Sequence, residues 1–400
     1  MQIYLVGGAV RDTLLGLPVK DRDWVVVGAT PQQLLDQGFV PVGRDFPVFL
    51  HPTTKEEYAL ARTERKTAPG YQGFAVHAAP DVTLEDDLAR RDLRINAMAV
   101  EASQLRGDGS FDPAQVQLTD PFQGLADLRN RVLRHVTDAF REDPVRILRV
   151  ARFAARFADF EVARGTMDLM HAMVDHGEAA ALVAERVWQE MARGLMEAAP
   201  SRMFTVLQAC GAHPVVLPEL TQGPAGPGSH VLRMLDQCAE RRAPLAVRFA
   251  CLCLYAHPVA APAPVAGTQH PIRGLCARLR VPIDCAAMAE VAARERLALQ
   301  ACERQPAGVL VQLLERCDAF RKPARFADLL LVTECDAQAG NDQLDLPYPP
   351  RQRLLAVLAA TQAVSTRDIA AQAQARGLGG RQIGDLVHAA RVEAVAALAG

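Results

Sequence analysis

Cysteine is missing from the first 209 residues of this 400-residue chain. All nine cysteines lie between Cys210 and Cys335, their number is odd, and no C-x-x-C pair or cysteine–histidine spacing suited to zinc occurs. That pattern speaks against a disulfide framework or a zinc module and predicts buried, reduced thiols. Lysine is nearly absent as well, with only Lys20, Lys55, Lys66 and Lys322 among 44 basic residues. No apolar run approaches the roughly 18 residues that a membrane span requires, so no membrane partner is expected. The start, from Met1 to Gly8, lacks a basic stretch followed by a long apolar one, which leaves the cytoplasm as the expected compartment. An excess of one charge is also lacking, since 44 basic residues face 46 acidic ones and the net charge is −2. The balance is not uniform along the chain. Between Arg129 and Arg156 eight arginines stand against three acidic residues, a local excess suited to phosphates.

The length predicts two or three domains at roughly 150 residues each. Residues 1–135 mix short β-rich runs with turns, whereas the remainder is rich in Ala, Leu, Arg and Glu with helical periodicity, so the fold class is α+β, an α+β head on an all-α body. Strands are predicted at Ile3–Val6, Trp24–Val27, Pro47–Leu50 and Glu57–Ala61. Thr30-Pro31-Gln32-Gln33 predicts a capping box opening a helix towards Gly38, and Thr83 precedes a second predicted helix through Met98. Thr63–His77 reads as polar, irregular and mobile. Gly/Pro-rich stretches at Gln222–Gly228 and Val259–Gly267 mark loops, and helices interrupted by Gly377, Gly379 and Gly380 complete the chain. These shifts divide it into 1–135 (head), 136–222 (helical neck), 223–345 (helical body) and 346–400 (helical tail).

Four motifs carry chemistry. In Gly7-Gly8-Ala9-Val10-Arg11-Asp12 a strand passes through two glycines into a helix, where backbone N–H groups can approach a triphosphate and Arg11 can add a charged donor. Asp21 and Asp23, at i and i+2 at the start of a strand, fall on one face, where their mutual repulsion calls for a counter-cation; hard oxygen ligands beside a phosphate cradle suit Mg²⁺. In Arg90-Arg91-Asp92-Leu93-Arg94-Ile95-Asn96, Asp92 and Asn96 share a helix face and can grip a ribose while Arg91 reaches for phosphate. In Glu142-Asp143-Pro144-Val145-Arg146-Ile147-Leu148-Arg149, Asp143 is the expected N-cap and Pro144 the first helical residue. Arg146, Arg149, Arg152 and Arg156 then line one helix face, while Ile147, Val150, Ala151 and Ala154 point to the core. Asp143 can accept from an exocyclic amino group while Arg146 donates to the neighbouring ring nitrogen, a pattern that cytosine and adenine share and that uracil and guanine reverse.

Together these motifs resemble the class II tRNA nucleotidyltransferases, the CCA-adding enzymes, in order and spacing over residues 1–160, with weaker similarity at Glu185-Arg186-Val187-Trp188 and Arg278–Pro282. The resemblance implies a polymerase-β-like nucleotidyltransferase head followed by a helical neck, body and tail that hold the tRNA acceptor and TΨC arms. It implies Mg²⁺ on Asp21 and Asp23 and a tRNA 3′-hydroxyl attacking CTP twice and then ATP. It places nucleotide binding at Gly8, Arg11, Arg91, Arg146 and Arg149, base reading at Glu142, Asp143 and Arg146, and ribose recognition at Asp92. Monomer and homodimer remain open, as do a poly(A) polymerase, a partial CC- or A-adding enzyme and an inactive tRNA-binding protein. Some bacterial relatives carry a metal phosphohydrolase domain with a histidine followed by a His-Asp pair. Here His230 stands alone, Leu254 and Tyr255 hold the places of the pair, and phosphohydrolase activity is expected to be absent.

Overall fold

The computed structural model describes residues 1–42, 48–66, 74–220, 228–256, 271–340 and 347–399. The chain forms two compact units, Met1–Gly194 with Arg202–Val216 and Leu195–Ser201 with Leu217–Gly400.

The first unit begins with β1 (Gln2–Val6), α1 (Gly8–Leu14), β2 (Asp23–Val27), α2 (Pro31–Asp36), β3 (Val40–Pro41), β4 (Val48–Leu50) and β5 (Glu57–Leu60). It continues with β6 (Thr63–Lys66), β7 (Phe74–His77), α3 (Leu84–Ala89), β8 (Ala99–Glu101) and β9 (Leu118–Thr119). Seven strands form one sheet in the order β3-β4-β5-β2-β1-β8-β9, with β2 and β5 parallel and the other neighbours antiparallel. Strand alternation decides what each face carries. Val25 of β2 packs with Val6, Ala97 and Ala99 in a core cluster completed by Leu88 and Val136, with Tyr4 and Val27 against it. Asp23 is the first member of that same row. Trp24 faces the opposite side, stacked on Tyr58 at 5.3 Å between ring centroids. The capping box of α2 forms as the sequence predicts, with Thr30 and Gln33 exchanging side-chain and backbone hydrogen bonds.

Three local expectations are corrected. The helix expected from Thr83 to Met98 stops at Ala89, and a short 3₁₀ turn, Arg94–Asn96, leads into β8. The Asp92 carboxylate accepts the Leu93 N–H at 2.8 Å, and the Arg94 N–H donates to the Arg134 carbonyl at 2.9 Å, so these donors leave the helical ladder. The segment expected to be irregular carries paired strands, Thr63 opposite His77 through Lys66 opposite Phe74, while 67–73 lie outside the described residues. Most of the two predicted Gly/Pro-rich loops likewise lies outside them, at 221–227 and 257–270.

The first unit then turns helical, with α4 (Gly124–Arg129), α5 (Val145–Arg156), α6 (Arg164–Asp175) and α7 (Ala184–Leu195). The third correction concerns α5. Pro144, at φ −62°, takes the cap position and Asp143 stays extended, one residue later than predicted, yet the Asp143 carboxylate still accepts the Val145 N–H at 3.1 Å. Ile147, Val150, Ala151 and Ala154 of α5 are fully buried, as the periodicity predicts.

The second unit is helical, including Ser229–Glu240, Leu245–Cys253, Ile283–Gln300, Pro323–Gln338 and the final helices Pro349–Gln362, Thr366–Ala375 and Gly380–Ala396. All nine cysteines of the chain are buried and unpaired by disulfides. Among the described residues no helix is long and apolar enough to cross a membrane.

Candidate active site

In the first unit a cleft of about 630 Å³ opens between the ends of β1 and β2, the 3₁₀ turn and α5. Among the described residues, ten basic and five acidic side chains line it. Nine of the ten residues singled out from the sequence are on its wall: Gly8, Arg11, Asp21, Asp23, Arg91, Asp92, Asp143, Arg146 and Arg149. Glu142 is not; it closes the 3₁₀ turn Asp138–Glu142 just before Asp143.

The Gly-Gly turn has a steric cause. Gly7 sits at φ 70°, and a Cβ there would fall 2.9 Å from Nη1 of Arg91, so glycine satisfies both the backbone and the approach of the arginine. Opposite the turn, strand pairing places Asp23 directly across from Val6 on β1 and from Glu57 on β5. Asp21 and Asp23 make no hydrogen bond or ion pair through their carboxylates among the described residues. Asp23 is exposed at the mouth of the cleft, but partial loss of water around its carboxyl raises its pKa from the ordinary value, with Arg91 and Arg149 pulling the other way and the charge of Asp21 adding to the rise. Two hard anionic donors without a protein cation between them are what a divalent ion requires. Among the described residues no group of three or more His, Cys, Asp or Glu side chains gathers to hold a metal. Two carboxylate donors beside a basic cleft are hard oxygen ligands of the kind a divalent ion takes.

The arginines are held by a few buried carboxylates. Asp12 accepts from Arg11 Nε at 2.9 Å and from Arg156 at 2.8 Å, tying α1 to α5. Arg11 is 3% exposed, donates to Asn96 at 2.5 Å and lies 5.2 Å from the Phe153 ring centroid. Burial lowers its pKa despite Asp12. Its donors thus brace the cleft wall in this arrangement. Asp87, completely buried on α3, binds Arg90 at 2.6 Å and Arg91 at 3.1 Å; burial opposes its ionisation, yet the two arginines hold its carboxyl below the ordinary value. Asp92 accepts from Arg149 Nε at 2.6 Å and from Asn96 at 3.1 Å. Burial alone would raise its pKa, but Arg149 and the Asn96 hydrogen bond hold it well below the usual carboxylate range. The predicted Asp92–Asn96 contact therefore forms without the predicted helix. Arg146 is anchored by backbone, donating to the carbonyls of Ala139 at 2.8 Å and Arg90 at 2.6 Å.

Sequence reasoning gave no site role to Asp12, Lys20, Arg62, Arg90, Arg152, Arg156 or Arg186, which also line the cleft. Asp12 had a signal, as the last member of the glycine motif, and Arg156 and Arg152 as members of the α5 stripe. Arg186 comes from α7, 43 positions from Asp143; its signal was the weaker match at Glu185–Trp188, and its tertiary contact gives it a place in the cleft.

Residues 3–134 match the family described as the poly A polymerase head domain, and residues 159–223 the one described as "Probable RNA and SrmB- binding site of polymerase A". The chain is 57% identical over 427 residues to the multifunctional CCA protein of Variovorax paradoxus, covering 100% of both chains. It is 59% identical to that of Paracidovorax citrulli, covering 99% of this chain and 97% of the relative. The fold is that of a CCA-adding enzyme solved in an apo form, at a TM-score of 0.68 and 22% identity over 98% of this chain and 88% of the other.

Proposed function

The chain belongs to the CCA-adding enzymes, and from that premise we propose that it builds and repairs the 3′-terminal CCA of tRNA, using CTP and ATP and releasing pyrophosphate at each addition. The observation that carries the reading is the pair of unpartnered carboxylates, Asp21 and Asp23, facing a cleft whose basic side chains outnumber the acidic ones two to one. That cleft lies within the size range of a small-molecule site. Asp21 and Asp23 would hold Mg²⁺, whose chemistry is to make the tRNA 3′-hydroxyl more acidic and to neutralise phosphate charge. The other roles belong to the chain itself. The turn at Gly7 and Gly8 lets the Arg91 and Arg11 guanidiniums approach the backbone closely, and Arg91 and Arg149, held from behind by Asp87 and Asp92, orient the phosphate oxygens. Arg11 and Asn96 brace the ribose side, with Asp92 beneath them. Asp143, beside Glu142, and Arg146 read the base by accepting its amino group and donating to its ring nitrogen. The head, neck, body and tail division at 135, 222 and 345 is part of the same proposal, with the helical parts carrying the acceptor and TΨC arms.

The phosphohydrolase chemistry of some relatives is proposed to be absent. His230 Nε2 lies 3.0 Å from Asp336, whose carboxylate is already engaged by Arg296 at 3.2 Å and Gln300 at 2.8 Å. A guanidinium thus neutralises the acid nearest the lone histidine.

The test is incubation of the protein and Mg²⁺ with tRNA lacking CCA, offering CTP, ATP or both. Two additions with CTP alone, and a third followed by a stop with both, are expected. A long adenosine tail from ATP alone would instead establish a poly(A) polymerase.

A further inference from the structure

We propose that two phenyl rings, Phe153 of α5 and Phe157 just past its end, seat the arginine cluster of the cleft, with Phe153 as a positioning residue that holds Arg11, Arg149 and Arg152 ready for a triphosphate. The inference rests on the reading above that the cleft takes CTP and ATP.

Phe153 is the one aromatic side chain on the wall among the described residues. A ring in such a place can stack a base. Here it is only 4% exposed, and guanidiniums occupy the space over it. Arg152 Cζ lies 4.5 Å from the ring centroid, Arg11 Cζ 5.2 Å and Arg149 Cζ 5.8 Å. Phe157, whose ring is nearly parallel at 6.2 Å between centroids, carries Arg11 at 5.1 Å and Arg156 at 5.3 Å. All five distances lie within the roughly 6 Å reach of a cation–π contact. Arg11 of α1 is shared by both rings, and the other three arginines come from α5 itself.

The charges explain why rings are used. The four arginines meet three carboxylates: Asp12 takes Arg11 and Arg156, Asp92 takes Arg149, and Glu190 takes Arg152. The cluster therefore carries an excess of positive charge. Burial lowers the pKa of Arg11, and the neighbouring Arg156 adds to the fall against the pull of Asp12. A further carboxylate would balance the excess, but it would also compete with a phosphate for the same donors. The negative face of a ring attracts a guanidinium without bringing a formal charge. The two rings thus keep like charges together and in place while leaving their excess to the incoming phosphates, which raises affinity by ordering the site beforehand.

The experiment replaces Phe153 site-specifically with mono-, di- and trifluorophenylalanine, which withdraw electrons from the ring face while nearly keeping its shape, and adds Phe153→Leu. Calorimetry without Mg²⁺ measures dissociation constants for CTP, UTP and inorganic tripolyphosphate, with displacement of tripolyphosphate by CTP marking the cleft. Thermal unfolding and the KM and kcat for CTP and ATP with tRNA are read alongside. Affinity for tripolyphosphate and CTP is expected to fall stepwise with each fluorine, by about tenfold at the trifluoro ring, the effect of losing a desolvated cation–π contact. KM should rise with it, and the CTP:UTP ratio should stay unchanged. A flat fluorine series would overturn the positioning role, even with a weakened Phe153→Leu, because ring size alone would then account for the loss. Loss of CTP affinity with tripolyphosphate affinity intact would also overturn it, since the ring would then serve the base. If the wild-type protein binds neither CTP nor tripolyphosphate, the nucleotide reading of the cleft falls as well.

Discussion

Replacing Asp92 with Asn changes one atom in the most tightly held acid of the cleft and tests the network around it. Asp92 is 6% exposed and its carboxylate receives three donors: Arg149 Nε at 2.6 Å, Asn96 Nδ2 at 3.1 Å and the Leu93 N–H at 2.8 Å. The amide of Asp92→Asn can keep one or two of these but presents no negative charge to Arg149. A hydrogen bond to a charged group contributes about 1.5–3 kcal/mol, and stranding a fully buried charge costs about 3–5 kcal/mol. The Arg149 side chain is 35% exposed, so water recovers part of that, and the expected loss is about 2 kcal/mol. For a unit of this size that lowers its unfolding midpoint by about 4–8 °C. A double-mutant cycle with Arg149→Gln, read by urea unfolding of each unit, should give a coupling of about 1.5 kcal/mol or more. The pH dependence has a definite sign. The folded pKa of Asp92 is depressed, so its stabilisation is present in full above the unfolded value of about 3.9 and is lost only as pH falls towards the folded one. The difference between wild type and variant should therefore stay constant from pH 8 to about pH 5 and shrink below about pH 4. Additive single-mutant effects, or a difference that already vanishes at pH 6, would refute the reasoning.

Asp21→Asn should abolish addition of CMP and AMP while leaving the unfolding midpoint unchanged or slightly raised, because removing one of two unpaired like charges relieves repulsion; a variant that retained turnover would remove the metal assignment. With the Asp23 carboxyl raised by partial loss of water, Mg²⁺ affinity measured by calorimetry should begin to fall at a higher pH than an ordinary carboxylate of about 3.9 would dictate as the solution is acidified. Gly124→Ala places a Cβ 2.2 Å from the Arg94 carbonyl oxygen and 2.9 Å from Met98 Cγ, and since backbone cannot step aside cheaply it should destabilise the first unit by about 1–3 kcal/mol in thermal melts. The nine buried thiols should resist a thiol reagent in the native protein and react on denaturation; titration of several under native conditions would contradict their burial. Pure protein should neither open 2′,3′-cyclic nucleotides to the 2′- or 3′-monophosphates nor release phosphate from those monophosphates; turnover that Arg296→Ala or His230→Ala altered would show that the second unit keeps a working hydrolytic site.

What the sequence showed and what it hid divide along the range of the interactions. The capping box of α2, the strands β1 and β2, the Asp21–Asp23 spacing and the buried stripe of α5 depend on local residue type and period, and they were readable from the sequence. The helix expected to reach Met98 failed because distant partners claimed its donors: Arg94 pairs with Arg134, and the Arg90 carbonyl is wanted by Arg146, 56 residues on. The same competition explains the cleft. An arginine stripe on an isolated helix reads equally well as a solvated face, and only the carboxylates brought from α1, α7 and the segment between α3 and the 3₁₀ turn show that Arg149, Arg152 and Arg156 are held in place. Among the described residues, the wall's acids Asp12, Asp92 and Asp143 are matched to arginines, and Asp21 and Asp23 are not. Both unmatched acids are exposed to the cleft, at and just before the start of the central strand β2, where a cation that arrives with the substrate would reach them. The contrast within one wall is thus a stronger argument for metal-dependent phosphoryl chemistry than the Asp-x-Asp spacing alone.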